Sequence, residues 1–185
     1  QKVMELEDIV DDKEDELSDY LTQLSAKPLS EIDSKKIGMY GKCVTDMERI
    51  SDYAKGIAYA QKKLYVSEEA FSENARKEVS KIFAATMEIV ENTVQCFVHE
   101  DVDLALRIDP LVDVISDLKK EIRIQHNRRL QEGKCSVEMG MTLTDMVTSL
   151  ERIARHCSNI AEEQLVLDTK QHALHQLARS RKEGN

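Results

Sequence analysis

Tryptophan is absent from this chain, and the residues that usually punctuate sheets and tight loops are scarce. Its 185 residues include three Phe, five Tyr, two Pro and six Gly. So few aromatics and breakers, set among many Glu, Lys, Leu and Ala, argue against a sheet protein and for long helices. Cysteine is also thin: Cys43, Cys96, Cys135 and Cys157 stand far apart with no C-x-x-C. That pattern argues against a zinc site and reads as reduced thiols serving as small core residues in an intracellular protein. No run approaches the ~20 apolar residues of a membrane span, and no secretory leader is visible. Basic charge is in deficit as well, the formal net charge being −9. Nucleic-acid binding, which needs a basic footprint, is therefore excluded as the expected role.

What is present is helical periodicity. Val3, Leu6, Val10, Leu17, Leu21 and Leu24 recur at three- and four-residue steps, predicting a first helix over residues 2–25 that ends at Lys27-Pro28. Ser30, with Asp33 three residues on, reads as the cap of a second helix over 30–64, which contains Gly38, Gly41 and Gly56. Each glycine costs a helix about 1 kcal/mol against alanine, so close helix packing is the expected compensation. A third helix is expected from Ser67-Glu68-Glu69-Ala70 to about residue 99, and a fourth over 104–130 with Pro110 either kinking it or lying in its first turn. Gly133 marks a turn, a fifth helix covers 137–167 and continues toward 177, and the last four residues should fray. The basic runs 123–129 and 179–182 read as solvated faces.

The chain repeats itself. Val44-Thr45 and Glu48-Arg49-Ile50 return as Val147-Thr148 and Glu151-Arg152-Ile153, and Ile57-Ala58 returns as Ile160-Ala161. More weakly, Glu7, Val10, Asp11 and Asp15 match Asp109, Val112, Asp113 and Asp117. The expected organisation is a first repeat of two helices over 1–66, a second of three over 67–167, and a helical extension and tail over 168–185. Helices that cannot each bury an apolar stripe alone must stack around a shared core, which predicts an all-α antiparallel bundle. A counterpart of the 69–99 helix is missing before Gln1; that position calls for an upstream segment or a second subunit. The start at Gln1, inside a helical pattern, reads as a piece of something longer.

Two carboxylate pairs carry the candidate chemistry. Glu48 and Asp52 lie four apart on one helix face, and Glu7 and Asp11 lie four apart on the helix before it. Either each pair faces water, or the four converge and a cation offsets their repulsion. Uncompensated, they would raise one another's pKa. An all-oxygen set suits Mg, Ca, Mn or iron better than copper. In the second half Asp109, Asp113 and Glu151 persist, but Arg155 stands where Asp52 stands in the first. A guanidinium there would replace a metal by a salt-bridge network, so the second site is the weaker one.

Residues 48–58, E-R-I-S-D-Y-A-K-G-I-A, and their degraded copy at 151–161, E-R-I-A-R-H-C-S-N-I-A, resemble the signature of the PhoU family. The partner helices, E-D-I-V-D at 7–11 and D-P-L-V-D at 109–113, fit the same family's acidic pattern. The resemblance implies two three-helix repeats, with the first helix of repeat one absent here, and metal clusters (iron, Mg, Mn or Zn) on the acidic motifs. It implies control of phosphate transport and homeostasis at the cytoplasmic face of the membrane, through a membrane phosphate transporter in cis or in trans and a sensor kinase. The family occurs as a free-standing regulator or as a domain fused to sodium/phosphate cotransporters, and the degraded motif and fragment-like start favour the fused form. A homodimer through the leucines of 165–177, or a metal-free helical adaptor, are the other expectations. Enzymatic activity is not expected: His99, His126, His156, His172 and His175 provide no E-x-x-H beside the acids, and no nucleophile–base pair or phosphate loop is present.

Overall fold

The computed structural model describes the backbone of residues 2–66 and 70–183 and side chains up to residue 169. Among the described residues there is no strand; the chain forms α1 (Lys2–Ser25), α2 (Glu31–Val66), α3 (Glu73–His99), a single turn α4 (Val102–Ala105), α5 (Ile108–Gln131) and α6 (Val137–Glu183). The all-α bundle expected from composition is what forms.

Local chemistry sets the ends. Ser30 Oγ accepts from the Asp33 N–H at 3.1 Å, capping α2 as its sequence suggested. Ser72, not Ser67, caps α3, its Oγ accepting from the Ala75 N–H at 3.3 Å, so that helix begins at Glu73. Residues 67–69 of the expected start lie outside the described residues. The expected helix over 104–130 is two helices. Pro110 sits in the first turn of α5, where a missing N–H costs nothing, and the chain turns at Leu106 and Arg107 before it. Gly133 takes a φ of +67° at the turn toward α6.

The core follows a seven-residue rhythm. Ile82, Ile89 and Cys96 on α3, and Ile108, Ile115 and Ile122 on α5, are spaced by whole heptads and buried together. They meet Leu143, Val147, Leu150, Ala154, Cys157 and Ala161 on α6, which alternate four and three apart. A 3.5-residue period keeps one seam facing its partners along a bundle. Each such Ile or Leu contributes roughly 1.5–3 kcal/mol by burial. A second seam on α6, with Met146, Ile153, Ile160 and Leu167, is also buried. Ile160 and Leu167 pack with Met39 and Cys43 of α2. Leu167, one of the 165–177 leucines that the homodimer expectation put in a subunit contact, thus packs inside the chain; Leu174 and Leu177 lie outside the described side chains, as do the side chains of the 179–182 run.

α2 and α6 run antiparallel in a single register: Lys42 meets Glu163, Asp46 meets Asn159, and Tyr53 meets Arg152. Since Asp46 corresponds to Ser149 and Gly56 to Asn159, the Gly56–Ser149 approach at 3.9 Å is the repeat-mate of the Asn159–Asp46 bond. The two motif copies therefore meet back to back across a local twofold relation. α3 packs on both α5 and α6, whereas among the described residues α1 packs on α2 alone. Val3, Leu6, Ile9, Leu17 and Tyr20 of α1 consequently remain exposed.

Cys43, Cys96 and Cys157 are buried and free, as expected of core thiols. Burial pushes the Cys43 thiol up to about 12. It pushes Cys157 up to about 11, against a hydrogen bond with Thr93. The basic run 123–129 is not uniformly solvated: Arg129 is mostly buried and holds Glu78 through two 2.8 Å bonds.

The glycines correct one expectation. A Cβ added at Gly38 or Gly41 would meet nothing within 4 Å, and one at Gly56 would have ordinary clearance. Close packing occurs instead at Gly140, where a Cβ would lie 2.1 Å from His126 Nε2. Gly38→Ala should therefore stabilise the protein by about 0.5–1 kcal/mol through helix propensity alone. Gly140→Ala should destabilise it by about 1–3 kcal/mol of overpacking. Thermal melts check both, since 1 kcal/mol moves Tm by about 2–4 °C in a chain of this size.

Candidate metal centre

Glu7 is the buried residue that α1 contributes, at 2% exposure. A carboxylate in that position needs a partner, and Lys55 Nζ supplies one to Oε1 at 2.5 Å. Glu7 Oε2 and Asp11 Oδ1 are buried with no hydrogen-bond partner. On α2, Arg49 reaches both acids of its motif, Nε lying 3.4 Å from Glu48 Oε2 and one terminal nitrogen 3.2 Å from Asp52 Oδ2. The four expected acids are thus brought together electrostatically. Burial raises the Asp11 carboxyl above its ordinary value, helped by Glu7 and Asp52 and opposed by Lys55. Burial likewise raises Glu48, as do Asp52 and Asp11, against Arg49.

The donor set is entirely oxygen, and two of its atoms are buried acceptors lacking a donor, both of which fit a hard cation. Yet among the described residues no three His, Cys, Asp or Glu side chains are grouped closely enough to hold a metal as they stand. The physical reason is visible in the pairing: Lys55 takes one Glu7 oxygen, and Arg49 spans Glu48 and Asp52. Arg49 is about half exposed and can leave at small cost.

The second copy is organised differently. Glu151 accepts from Ser116 Oγ at 3.2 Å, Lys119 Nζ at 2.5 Å and Arg155 at 3.2 Å. Burial pushes its carboxyl up, but the hydrogen bonds from Lys119 and Arg155 outweigh this and hold it below the ordinary range. Asp109 accepts from Ser158 Oγ, and that pair is the repeat-mate of Glu7 with Lys55. Asp109 and Asp113 line an open groove of about 540 Å³ with Arg152, Arg155 and His156. The salt-bridge network expected from Arg155 is present.

Three residues went unread in the sequence. Lys55 lies inside the motif, one helical turn beyond Asp52. Lys119 stands where Leu17 stands in the first repeat, so a lysine replacing an apolar residue was the available signal. His156, set aside in the sequence because it forms no E-x-x-H beside the acids, bonds Asp46 Oδ1 at 2.7 Å and stacks on Tyr53, with ring centroids 5.6 Å apart. Arg152 also lies over Tyr53, 5.6 Å from the ring centre. As repeat-mates, Tyr53 and His156 meet where the two motifs cross.

A model of the PhoU domain matches residues 1–60 and 79–164. The chain is 33% identical over 170 residues to the phosphate-specific transport system accessory protein PhoU homolog 1 of Thermotoga maritima, covering 91% of this chain and 72% of that one. It is 25% identical over 169 residues to the phosphate-specific transport system accessory protein PhoU homolog of Clostridium acetobutylicum, covering 90% and 76%. The crystal structure of PhoU from Pseudomonas aeruginosa is similar at a TM-score of 0.86 and 26% identity, over 92% of this chain and 81% of that one. The phosphate transport system regulatory protein PhoU from Streptococcus pneumoniae shares the fold at a TM-score of 0.78 and 18% identity, over 91% and 78%.

The two motif glutamates should respond oppositely to neutralisation. Glu151 titrates below its ordinary 4.5, so its contribution is complete above that value and lost as pH falls through the lowered pKa. Glu151→Gln should lower stability at neutral pH by about 1–3 kcal/mol, and the deficit should vanish in acid. Glu48 titrates above its ordinary value, so its ionised form costs stability at neutral pH and protonation relieves it. In chelator, Glu48→Gln should raise the unfolding midpoint. Denaturant titrations of both variants across pH check the opposed signs.

Proposed function

This chain belongs to the PhoU family, and on that footing we propose that it is a metal-binding regulator of phosphate transport. Its acting partner is a membrane phosphate transporter, at the cytoplasmic face. The relatives in Thermotoga maritima and Clostridium acetobutylicum are named accessory proteins of phosphate-specific transport systems, which supports the transporter as partner. The observation that carries the metal reading is the contrast between the two copies of one motif. Glu151 has its cations built in, whereas Glu48 and Asp11 are held above their ordinary values beside two unpartnered buried oxygens. A hard cation held by Glu7, Asp11, Glu48 and Asp52 would supply the missing positive charge and clasp α1 to α2. Asp109, Asp113 and Glu151 form the weaker second position.

The clasp matters because, among the described residues, α1 is attached to the bundle through α2 only. Its exposed apolar residues offer a contact surface whose placement would depend on cation occupancy. Sensor kinases and a second copy of the chain are further partners consistent with such a surface. A metal-free adaptor is the competing reading, favoured by the Lys55 and Arg49 pairings that already offset half of the cluster's charge. Among the described residues no helix is long and apolar enough to cross a membrane. Fusion to a sodium/phosphate cotransporter is tested by the coding sequence upstream of Gln1: apolar spans there would support it, and their absence would favour the free-standing regulator.

The double variant Glu48→Ala with Asp52→Ala should lose the purified protein's bound iron, manganese or magnesium by elemental analysis. Unchanged content, or no metal in the native protein, would sink the ligand assignment. In cells lacking the gene, the native chain should restore regulated phosphate uptake, and the double variant should not.

A further inference from the structure

The cluster between α1 and α2 contains a residue the proposed ligand set does not use. Lys55 puts its ammonium on Oε1 of Glu7, the most deeply buried of the four acids, while Glu7 Oε2 and the nearby Asp11 Oδ1 lie buried without partners. Its repeat-mate, Ser158, binds Asp109 with a neutral hydroxyl, so the charge at this position is particular to the first copy. Lys55 is half-buried, with 30% of its side chain exposed, and its ammonium is tied to the buried Glu7. Arg49, the other cation, is half exposed and bridges the outer acids. The two therefore differ in role: Arg49 bridges the more exposed acids and can yield its place, whereas Lys55 is paired with the acid that is costliest to leave without a cation.

Charge then limits what the site takes. Counting the ligand acids and their paired cations, and leaving aside Asp8, the weakest of the charges acting on Asp11, four carboxylates against Lys55 and Arg49 leave a formal charge of −2 while both remain, and −3 when Arg49 turns away. One divalent ion nearly neutralises either state. Two divalent ions, or a ferric cluster, would leave an excess of positive charge beside the ammonium paired with buried Glu7, at a spacing where repulsion in a partly desolvated site is strong.

We propose that Lys55 is a tethered cation that occupies one cation position of the carboxylate cluster and restricts it to a single divalent ion. This rests on the reading of Glu7, Asp11, Glu48 and Asp52 as a metal site, and it adds a residue that sets the site's stoichiometry and affinity. The lysine ammonium and a second metal ion are alternatives for the same carboxylate charge.

Manganese(II) is the probe, followed by electron paramagnetic resonance and titration calorimetry on the full chain. The native protein should bind one Mn²⁺ per chain, and Glu48→Gln should abolish that binding. Lys55→Gln keeps a hydrogen-bond donor near Glu7 and removes the charge, so it should bind the first Mn²⁺ roughly tenfold tighter or more. Lys55→Arg should stay close to native. A native stoichiometry above one for Glu48-dependent sites would overturn the proposal, and this needs no variant to fold. Native Glu48-dependent binding with no gain in Lys55→Gln would also overturn it. Absence of Glu48-dependent binding in both native and Lys55→Gln would instead overturn the metal site itself. Binding by Lys55→Gln alone would overturn the single-ion stoichiometry, since the native site would then take no divalent ion.

Discussion

Everything in this bundle leans on α6 having two apolar sides. One seam runs through Leu143, Val147, Leu150, Ala154 and Cys157 and serves α3 and α5; the other carries Ile160 and Leu167 against Met39 and Cys43 of α2. A helix apolar on one side only could bury itself against one repeat and would leave the other unattached. Because α6 serves both, α2 is fixed antiparallel to it, and among the described residues α1 is fixed only through α2. The acidic cluster inherits its position from this chain of attachments.

Duplication placed equivalent groups at equivalent sites, and substitution then gave them opposite electrostatics. In the second copy Lys119 and Arg155 bring the cations to Glu151, so that acid is content to be ionised. In the first, an aspartate occupies the place of Arg155 and a leucine that of Lys119, and Glu48 is pushed toward its neutral form. One copy closes its charges internally; the other is left short of positive charge. Where the copies cross, Tyr53 and His156 stack, and Asp46 holds both His156 and Asn159. The crossing thus joins the two sites through hydrogen bonds and ring contact as well as through the apolar seam.

Legibility followed the range of the forces involved. Helix existence, the Ser30 cap, the Gly133 turn and the apolar stripes are local or periodic, and each was readable. The start of α3 was misplaced because Ser67 and Ser72 are both competent caps by residue type, and only the backbone path chooses between them. The break between α4 and α5 was missed because Pro110 tolerates either a kink or a first turn. The glycines misled for a similar reason: a close approach depends on what faces the residue, and His126 faces Gly140 rather than Gly38.

The sequence by itself determined the helical class, the duplicated motif, and which acids share a helix face. It also marked the second copy as compromised, since Arg155 in place of an acid is a change of sign that needs no coordinates to interpret. Only the tertiary structure decided that Glu7 is buried, that Lys55 reaches it from another helix, and that Lys119 answers Glu151. Pairing between helices depends on register and rotation, which a one-dimensional pattern leaves open. Whether a carboxylate is hydrated or stranded depends on how much water the neighbouring helix excludes.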